Sequence, residues 1–151
     1  MAKFIFKMDN ILSIKEKLED QAKAEYGMEL MRLREEEEKK LRLEAKKMGY
    51  EAKLTRELQD YLEIRRIRSL EDAVEVMKFQ IKLQQHVIEQ QEARVAKAKE
   101  KLDEAMKERK TFEKLKEKAF ETFRQELNAA EQKEIDELVS FRHGNGIESE
   151  D

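Results

Sequence analysis

Residues 67–112 read IRSLEDAVEVMKFQIKLQQHVIEQQEARVAKAKEKLDEAMKERKTF, and this stretch decides the fold. Its apolar side chains recur with a period of seven residues, which is typical of a helix packed along another helix. Position a of the repeat holds Ile67, Val74, Ile81, Ile88, Val95 and Leu102. Position d holds Leu70, Met77, Gln84, Gln91, Ala98, Ala105 and Phe112. Branched residues at a with leucine or methionine at d favour two strands, and two consecutive glutamines weaken the packing while helping to set its register.

The first half of the chain has an apolar stripe with steps of three and four residues, which predicts a second amphipathic helix. Its members are Ile11, Ile14, Leu18, Ala22, Tyr26, Leu30, Leu33, Leu41, Ala45, Met48, Ala52, Leu58 and Leu62. The stripe lapses at 35–40, EEEEKK, where Glu37 takes a stripe position. Beyond Phe112 the stripe of the second half shifts and is predicted to continue through Leu115, Ala119, Phe123, Leu127, Ala130, Ile135 and Leu138.

The break between the two helices is predicted near 65–69, RRIRS, because Ser69 is a favourable N-cap with Asp72 three residues later. Helix one then covers about 8–64 and helix two about 70–142. Gly144 is the expected C-cap, followed by a flexible acidic tail over 144–151. A continuous helix through 65–69 is the alternative.

Composition favours long helices. Of the 151 residues, 44% are charged, four are glycine and none is proline. In globular domains about a quarter of the residues are charged, and glycine and proline are needed for turns. The sequence predicts an all-α fold in which residues 1–143 form one antiparallel coiled-coil hairpin of two long helices. Dimerisation through the same stripes is the alternative.

Charge and cysteine content restrict the function. The net charge is −3, from 32 basic and 35 acidic residues that are closely interleaved, so no nucleic-acid partner is expected. The absence of cysteine excludes thiol chemistry. No apolar run approaches the roughly 20 residues of a membrane span, and the apolar stretch at 4–8 is too short for a signal peptide. We expect a cytoplasmic protein.

Catalysis requires ionisable groups that converge in a pocket, and a pair of helices offers none. His86 falls at an outward position of the repeat, and His143 lies in the last helical turn, where it suits the helix dipole. We therefore expect no catalytic residue, metal, cofactor or small-molecule substrate.

Two apolar groups lie beside the main stripes. Near the turn, a second stripe is predicted to be exposed and to bind a partner, unless the turn or a second copy of the chain covers it. This stripe consists of Tyr50, Leu54, Tyr61, Val76, Phe79 and Leu83. At the N-terminus, a cluster that includes Phe4 and Phe6 is expected to pack near Phe120 and Phe123 rather than to anchor the chain on a membrane.

Three segments resemble one known family. They are FIFKMDNIL at 4–12, EKLKEKA at 113–119 and EQKEIDEL at 131–138. They are similar to segments of FliJ, the small coiled-coil component of the bacterial flagellar export ATPase complex. The resemblance spans nearly the whole chain, and the acidic tail after Gly144 departs from it.

The resemblance implies a non-enzymatic hairpin similar to the central stalk subunit of rotary ATPases. The termini would engage the pore of the hexameric export ATPase, and the turn end would contact the membrane export gate protein. Export chaperones would also bind, and membrane association would be peripheral and through partners only. The residues implied at the ATPase ring are Phe4, Phe6, Ile11, Phe120, Phe123, Ile135, Asp136 and Leu138.

Two functions from other classes remain open. A purely structural spacer would be a stable elongated dimer, whereas a stalk would be a monomer. A chaperone-like holdase would use the stripe near the turn to bind unfolded clients.

Overall fold

Two helices make up the protein. The computed structural model describes residues 2–59 and 63–148, with side chains through residue 144. Over those residues it contains α1, Asp9–Gln59, and α2, Ile64–Glu148, and no strand. The chain has no proline, so every backbone N–H is available to the helical hydrogen-bond ladder. The predicted all-α class is confirmed.

The helices pack against each other in antiparallel fashion. Asp9 pairs with Lys116 and Lys15 with Glu108, and further along α1 Glu36 bonds Gln84. Residue numbers that rise on α1 meet falling numbers on α2, which confirms the helical hairpin.

Backbone hydrogen bonds mark both helix starts. The Leu12 N–H donates to the Met8 carbonyl at 3.0 Å, and the Ile67 N–H donates to the Glu63 carbonyl at 3.1 Å. Asp9 places a negative charge in the first turn of α1, where the helix dipole favours it.

The turn lies earlier than the sequence predicted. Residues 65–69 belong to the first turns of α2, so Ser69 is not an N-cap. The helix is continuous through 65–69, as the alternative held, but α1 and α2 are two separate helices. Ile67 and Leu70 are half-buried in the interface. Burial of these two side chains requires helical geometry before Ser69, and it outweighs the capping preference of a serine. Arg66 pairs with Glu57 at 3.3 Å, which links the end of α1 to the start of α2.

The predicted C-cap at Gly144 is also wrong. α2 continues through this glycine to Glu148, and no described glycine has the positive φ that a left-handed cap requires. Without proline, nothing in the sequence forbids helix there. Of the predicted flexible tail, residues 149–151 lie outside the described residues.

The chain divides into two compact units. Unit 1 comprises Met1–Glu19 and Ala105–Asp151, which contain both termini. Unit 2 comprises Asp20–Glu104, which contain the turn.

The predicted register of α2 is confirmed. Every a and d residue from Ile67 to Phe112 is buried or half-buried, and we call this stripe the seam of α2. The predicted stripe after Phe112 is confirmed in part: Ala119, Phe123 and Leu127 are half-buried, whereas Leu115, Ala130, Ile135 and Leu138 are exposed. The seven-residue repeat also continues through Arg109 and Lys116, which are half-buried. Their aliphatic stems cover apolar surface while their charged ends reach the carboxylates of Glu19 and Asp9.

The predicted register of α1 is wrong over most of its length. Leu41, Met48 and Leu58 are 63%, 67% and 55% exposed. The seam of α1 instead repeats strictly every seven residues, with Leu12, Glu19, Tyr26, Leu33, Lys40, Lys47 and Leu54 at a. Position d holds Lys15, Ala22, Glu29, Glu36, Leu43, Tyr50 and Glu57, all at least half-buried. Glu36, not Glu37, therefore takes the seam position.

Candidate partner-binding surfaces

The N-terminal segment of unit 1 packs on α2 as predicted. The Phe4 ring lies 5.3 Å from the Phe120 ring and 5.5 Å from the Phe123 ring, measured between centroids. The first pair is edge-to-face at 81°, a geometry that aromatic quadrupoles favour. Phe6 and Leu12 are buried beside them, at 9% and 5% exposure. Phe4, Phe6 and Phe123 thus form an internal core, which leaves the flank of Phe120 for a partner.

Ion pairs fix the same unit across the interface. Lys15 pairs with Glu108 at 2.8 Å, and Lys116 pairs with Asp9 at 2.9 Å. Arg109 bonds both Glu113 on its own helix and Glu19 on α1, and Glu19 is only 4% exposed. The hydrogen bonds that Arg109 donates to the Glu113 carboxylate and then to the Glu19 carboxylate raise the pKa of Arg109 above its usual value. The pair of Arg109 with the buried Glu19 is of the kind that sets register more than it adds stability, whereas the more exposed pairs of Lys15 and Lys116 contribute little.

The last part of α2 presents a row of apolar side chains to solvent. Every residue of 128–144 is exposed. We call Ile135, Leu138, Val139 and Phe141 the terminal surface; they are 52% to 67% exposed. The periodicity of the sequence placed Ile135 and Leu138 in the packed stripe of α2, which is wrong because both are exposed. The resemblance implied Ile135, Asp136 and Leu138 at the ATPase ring, and that role stays a prediction. Val139 and Phe141 were missed, although Phe141 follows Leu138 with the same three-residue helical step.

In unit 2, two glutamines of the α2 seam bond two glutamates of α1. The Gln84 amide donates to the backbone oxygen of Glu36 at 2.8 Å and to its carboxylate at 2.6 Å. The Gln91 amide does the same at Glu29, at 3.0 and 2.5 Å. The hydrogen bond from Gln84 and that from Lys39 lower the pKa of Glu36 below its ordinary value. Because each glutamine reaches one specific turn of α1, the predicted role in register has a structural basis.

The stripe predicted near the turn is only partly exposed. Val76, Phe79 and Leu83 are 50%, 63% and 50% exposed, as expected. Tyr50 and Leu54 are half-buried in the seam of α1 instead. Tyr61 lies outside the described residues. The six residues therefore do not form one exposed surface, and the α2 trio, which we call the turn surface, is what remains accessible.

His86 lies at the surface of α2. His86 lies 3.7 Å from Glu89, and both side chains are largely exposed. Within residues 2–59 and 63–148, no three His, Asp or Glu side chains are placed to hold a metal ion. None of the described helices is long and apolar enough to cross a membrane.

Comparison with known proteins identifies one family. A family model described as "FliJ: Flagellar FliJ protein" matches residues 4–148, which is nearly the whole chain. Neither the curated proteins nor the solved structures give a significant match.

Proposed function

The chain belongs to the flagellar FliJ protein family, and on that premise we propose that it is a non-catalytic stalk that binds the hexameric export ATPase. Family membership makes it a component of the flagellar export apparatus. In the proposal, unit 1 engages the ATPase ring, and unit 2 contacts the membrane export gate protein and export chaperones. These partners hold the chain at the cytoplasmic side of the cell membrane.

The terminal surface supports the proposal that unit 1 binds the ring of the export ATPase. Four large apolar residues lie in a row on a helix end that nothing covers among the described residues of unit 1. Exposed contiguous apolar surface usually marks a partner site. Burying a leucine or phenylalanine there contributes roughly 1.5–3 kcal/mol per side chain, so a few such contacts are enough for specific binding.

The mechanism follows from symmetry. A single hairpin inside a ring of identical subunits contacts only some of them at once. Unequal contacts stabilise different conformational states in different subunits, and a ligand shifts such populations by its difference in affinity for them. The chain would thereby promote ring assembly and ATP turnover, while the chemistry belongs to its partner.

The test is the ATPase rate of the purified hexameric export ATPase with and without this chain. We expect stimulation by the wild type and its loss with Leu138→Asp, which puts a charge into the proposed contact. Leu41→Asp is a matched control, because Leu41 is as exposed as Leu138 but lies in unit 2. Stimulation that is absent, or that both variants lose equally, would contradict the proposal.

The turn surface is the part of unit 2 proposed to bind the membrane export gate protein. Phe79→Asp should weaken capture of the export gate protein and leave ATPase stimulation unchanged, because Phe79 is exposed and no part of the unit 1 core. A holdase would instead lose suppression of client aggregation with this variant.

A further inference from the structure

The two broad sides of unit 2 carry opposite charge. In an antiparallel pair, positions g and c of both helices share one side, and positions e and b share the other. On the g/c side, α1 presents Arg32, Lys39, Arg42, Lys46, Lys53 and Arg56, all exposed. α2 adds Arg66, Arg94, Lys97 and Lys101. Against these ten basic residues the same side has three acidic ones, Glu25, Glu35 and Glu104. We call it the basic face.

A surface groove confirms that these residues share a side. It is lined by Glu25, Met28, Glu29 and Arg32 of α1 together with Arg94, Lys97, Ala98 and Lys101 of α2. Six of these eight residues occupy g or c positions of the observed register, and the other two, Glu29 and Ala98, occupy d positions.

The opposite side of unit 2 is net acidic. Its e and b positions hold nine acidic and six basic residues among those described. The acidic ones include Glu37, Glu44 and Glu51, which repeat along α1 every seven residues. Acidic and basic residues are interleaved along the sequence, but in the folded hairpin most basic residues lie on one side of unit 2 and most acidic ones on the other.

Much of the basic charge is not neutralised by neighbours. Four of the ten basic residues form ion pairs: Arg32 with Glu29, Lys39 with Glu36, Arg42 with Glu38 and Arg66 with Glu57. Lys46, Arg94, Lys97 and Lys101, by contrast, form no ion pair with any described carboxylate. Unpaired cations on one face raise its positive potential and attract polyanions.

The part of the basic face nearest the turn also carries aliphatic side chains. Val76, Leu83 and Val87 occupy c and g positions of α2 and are 40% to 50% exposed. Facing them, α1 presents Lys39, Arg42, Lys46, Lys53 and Arg56, with no acidic residue at g or c between 39 and 56.

We propose that the basic face of unit 2 binds the surface of a bilayer that contains anionic phospholipid. On α1 the basic residues follow one another from Arg32 to Arg56, whereas on α2 they lie at Arg66 and in the cluster 94–101, with uncharged residues at g and c between them. A planar surface contacts the α1 row and the α2 cluster at once, whereas a single partner helix reaches only the groove between the helices. Each lysine or arginine near an anionic bilayer contributes of order 1 kcal/mol, and Val87, which is not part of the turn surface, enters the headgroup region. This direct contact goes beyond membrane association through partners.

The chemistry of the face favours lipid over nucleic acid. No aromatic residue occupies a g or c position among the described residues of unit 2, so bases of a single strand have no stacking platform there. The net charge of the whole chain is −3. Binding to an anionic surface must therefore come from the basic face, because the net negative charge of the chain is repelled by such a surface.

The experiment is co-sedimentation of the full chain with vesicles of phosphatidylcholine plus phosphatidylglycerol, and with vesicles of phosphatidylcholine alone. We expect binding only to the anionic vesicles, weakening as salt rises. The triple variant Lys46→Glu, Lys53→Glu, Lys97→Glu should bind roughly a hundredfold more weakly or not at all. Its charge-matched control is Lys78→Glu, Lys82→Glu, Lys99→Glu, on the opposite side, which should retain most of the binding.

Circular dichroism of both variants checks that helix content is unchanged, since all six lysines are exposed. Equal loss in the two triple variants, or no binding of the wild type to anionic vesicles at low salt, would overturn the proposal. Binding to duplex DNA without binding to vesicles would overturn it as well. None of these outcomes depends on the ATPase. The vesicle experiment therefore tests lipid binding independently of the proposed stalk function.

Discussion

The two helices of the hairpin use different chemistry on the surfaces that face each other. The seam of α2 is mainly apolar from Ile67 to Phe112, with two glutamines. The seam of α1 places Glu19, Glu29, Glu36, Lys40 and Lys47 among its apolar residues, while Leu41 and Met48 point to solvent. An apolar stripe therefore identifies the interface of one helix and misidentifies that of the other.

The difference teaches that α2 determines the register of α1. Gln84 and Gln91 need acceptors, and the glutamates at 36 and 29 supply them with both backbone and carboxylate oxygens. Buried polar groups without partners cost free energy. The hydrogen bonds of these two amides therefore favour the observed register of α1 over the more apolar register that would bury Leu41 and Met48.

The largest effect should come from the apolar seam of α2. Ile88 is 4% exposed, and Ile88→Ala should lower the free energy of unfolding by about 3 kcal/mol, as buried truncations do. Val87→Ala, one residue away and 40% exposed, should change it by less than about 0.5 kcal/mol. Urea denaturation measures both. Equal effects would mean that the assigned α2 register is wrong.

Removing the glutamines should separate stability from specificity. Gln84→Leu with Gln91→Leu should raise the free energy of unfolding by about 1–2 kcal/mol, because apolar residues pack better at d. The same variant should dimerise or exchange registers, since polar seam residues specify pairing. Sedimentation equilibrium of the variant and the wild type tests this. A less stable, strictly monomeric variant would argue against a role of the glutamines in register.

A smaller effect on the free energy of unfolding should distinguish the observed seam of α1 from the apolar stripe predicted from the sequence. Leu43→Ala truncates a half-buried seam residue and should cost about 1 kcal/mol. Leu41→Ala, the same change two residues earlier at a 63% exposed site, should cost almost nothing. A larger cost at Leu41 would favour the stripe that the sequence alone predicts.

The smallest expected effect concerns pH. Folding lowers the pKa of Glu36 below its ordinary value, chiefly through the hydrogen bond that Gln84 donates to its carboxylate. A carboxylate with a lowered pKa stabilises the fold above that ordinary value, and the stabilisation is lost as pH falls through the lowered pKa. Glu36→Gln should therefore be less stable than wild type at neutral pH, with the difference shrinking in acid. The exposed neighbour Glu35 provides the control, because Glu35→Gln changes a surface residue and should leave stability at neutral pH almost unchanged.

Much of the fold follows from the sequence. The heptads of α2 and the absence of proline predict the hairpin, and the aromatic cluster of Phe4 with Phe120 and Phe123 is confirmed by ring contacts. The turn was misplaced because the burial of Ile67 and Leu70 outweighs the capping preference of Ser69. The α1 register was misassigned because hydrogen bonds to the partner helix leave no trace in the sequence of α1.

The surfaces were predicted only in part for the same reason. Val76, Phe79 and Leu83 were identified correctly as exposed because the α2 register was correct. Tyr50 and Leu54 were assigned to the outside because the α1 register was not. The separation of charge between the two sides of unit 2 was missed entirely, since the signs alternate along the sequence and are sorted only once both registers are known.

A cysteine cross-link tests the pairing of the helices most directly, because the native chain has no cysteine. The Gln84 amide lies at the Glu36 carbonyl, which in a helix accepts the N–H of residue 40, so Lys40→Cys with Gln84→Cys should oxidise within one chain. Leu41→Cys with Gln84→Cys should not. An intramolecular disulfide in the first variant alone is the predicted result. Disulfide-linked dimers in place of it, or a faster cross-link from position 41, would contradict the hairpin and its register.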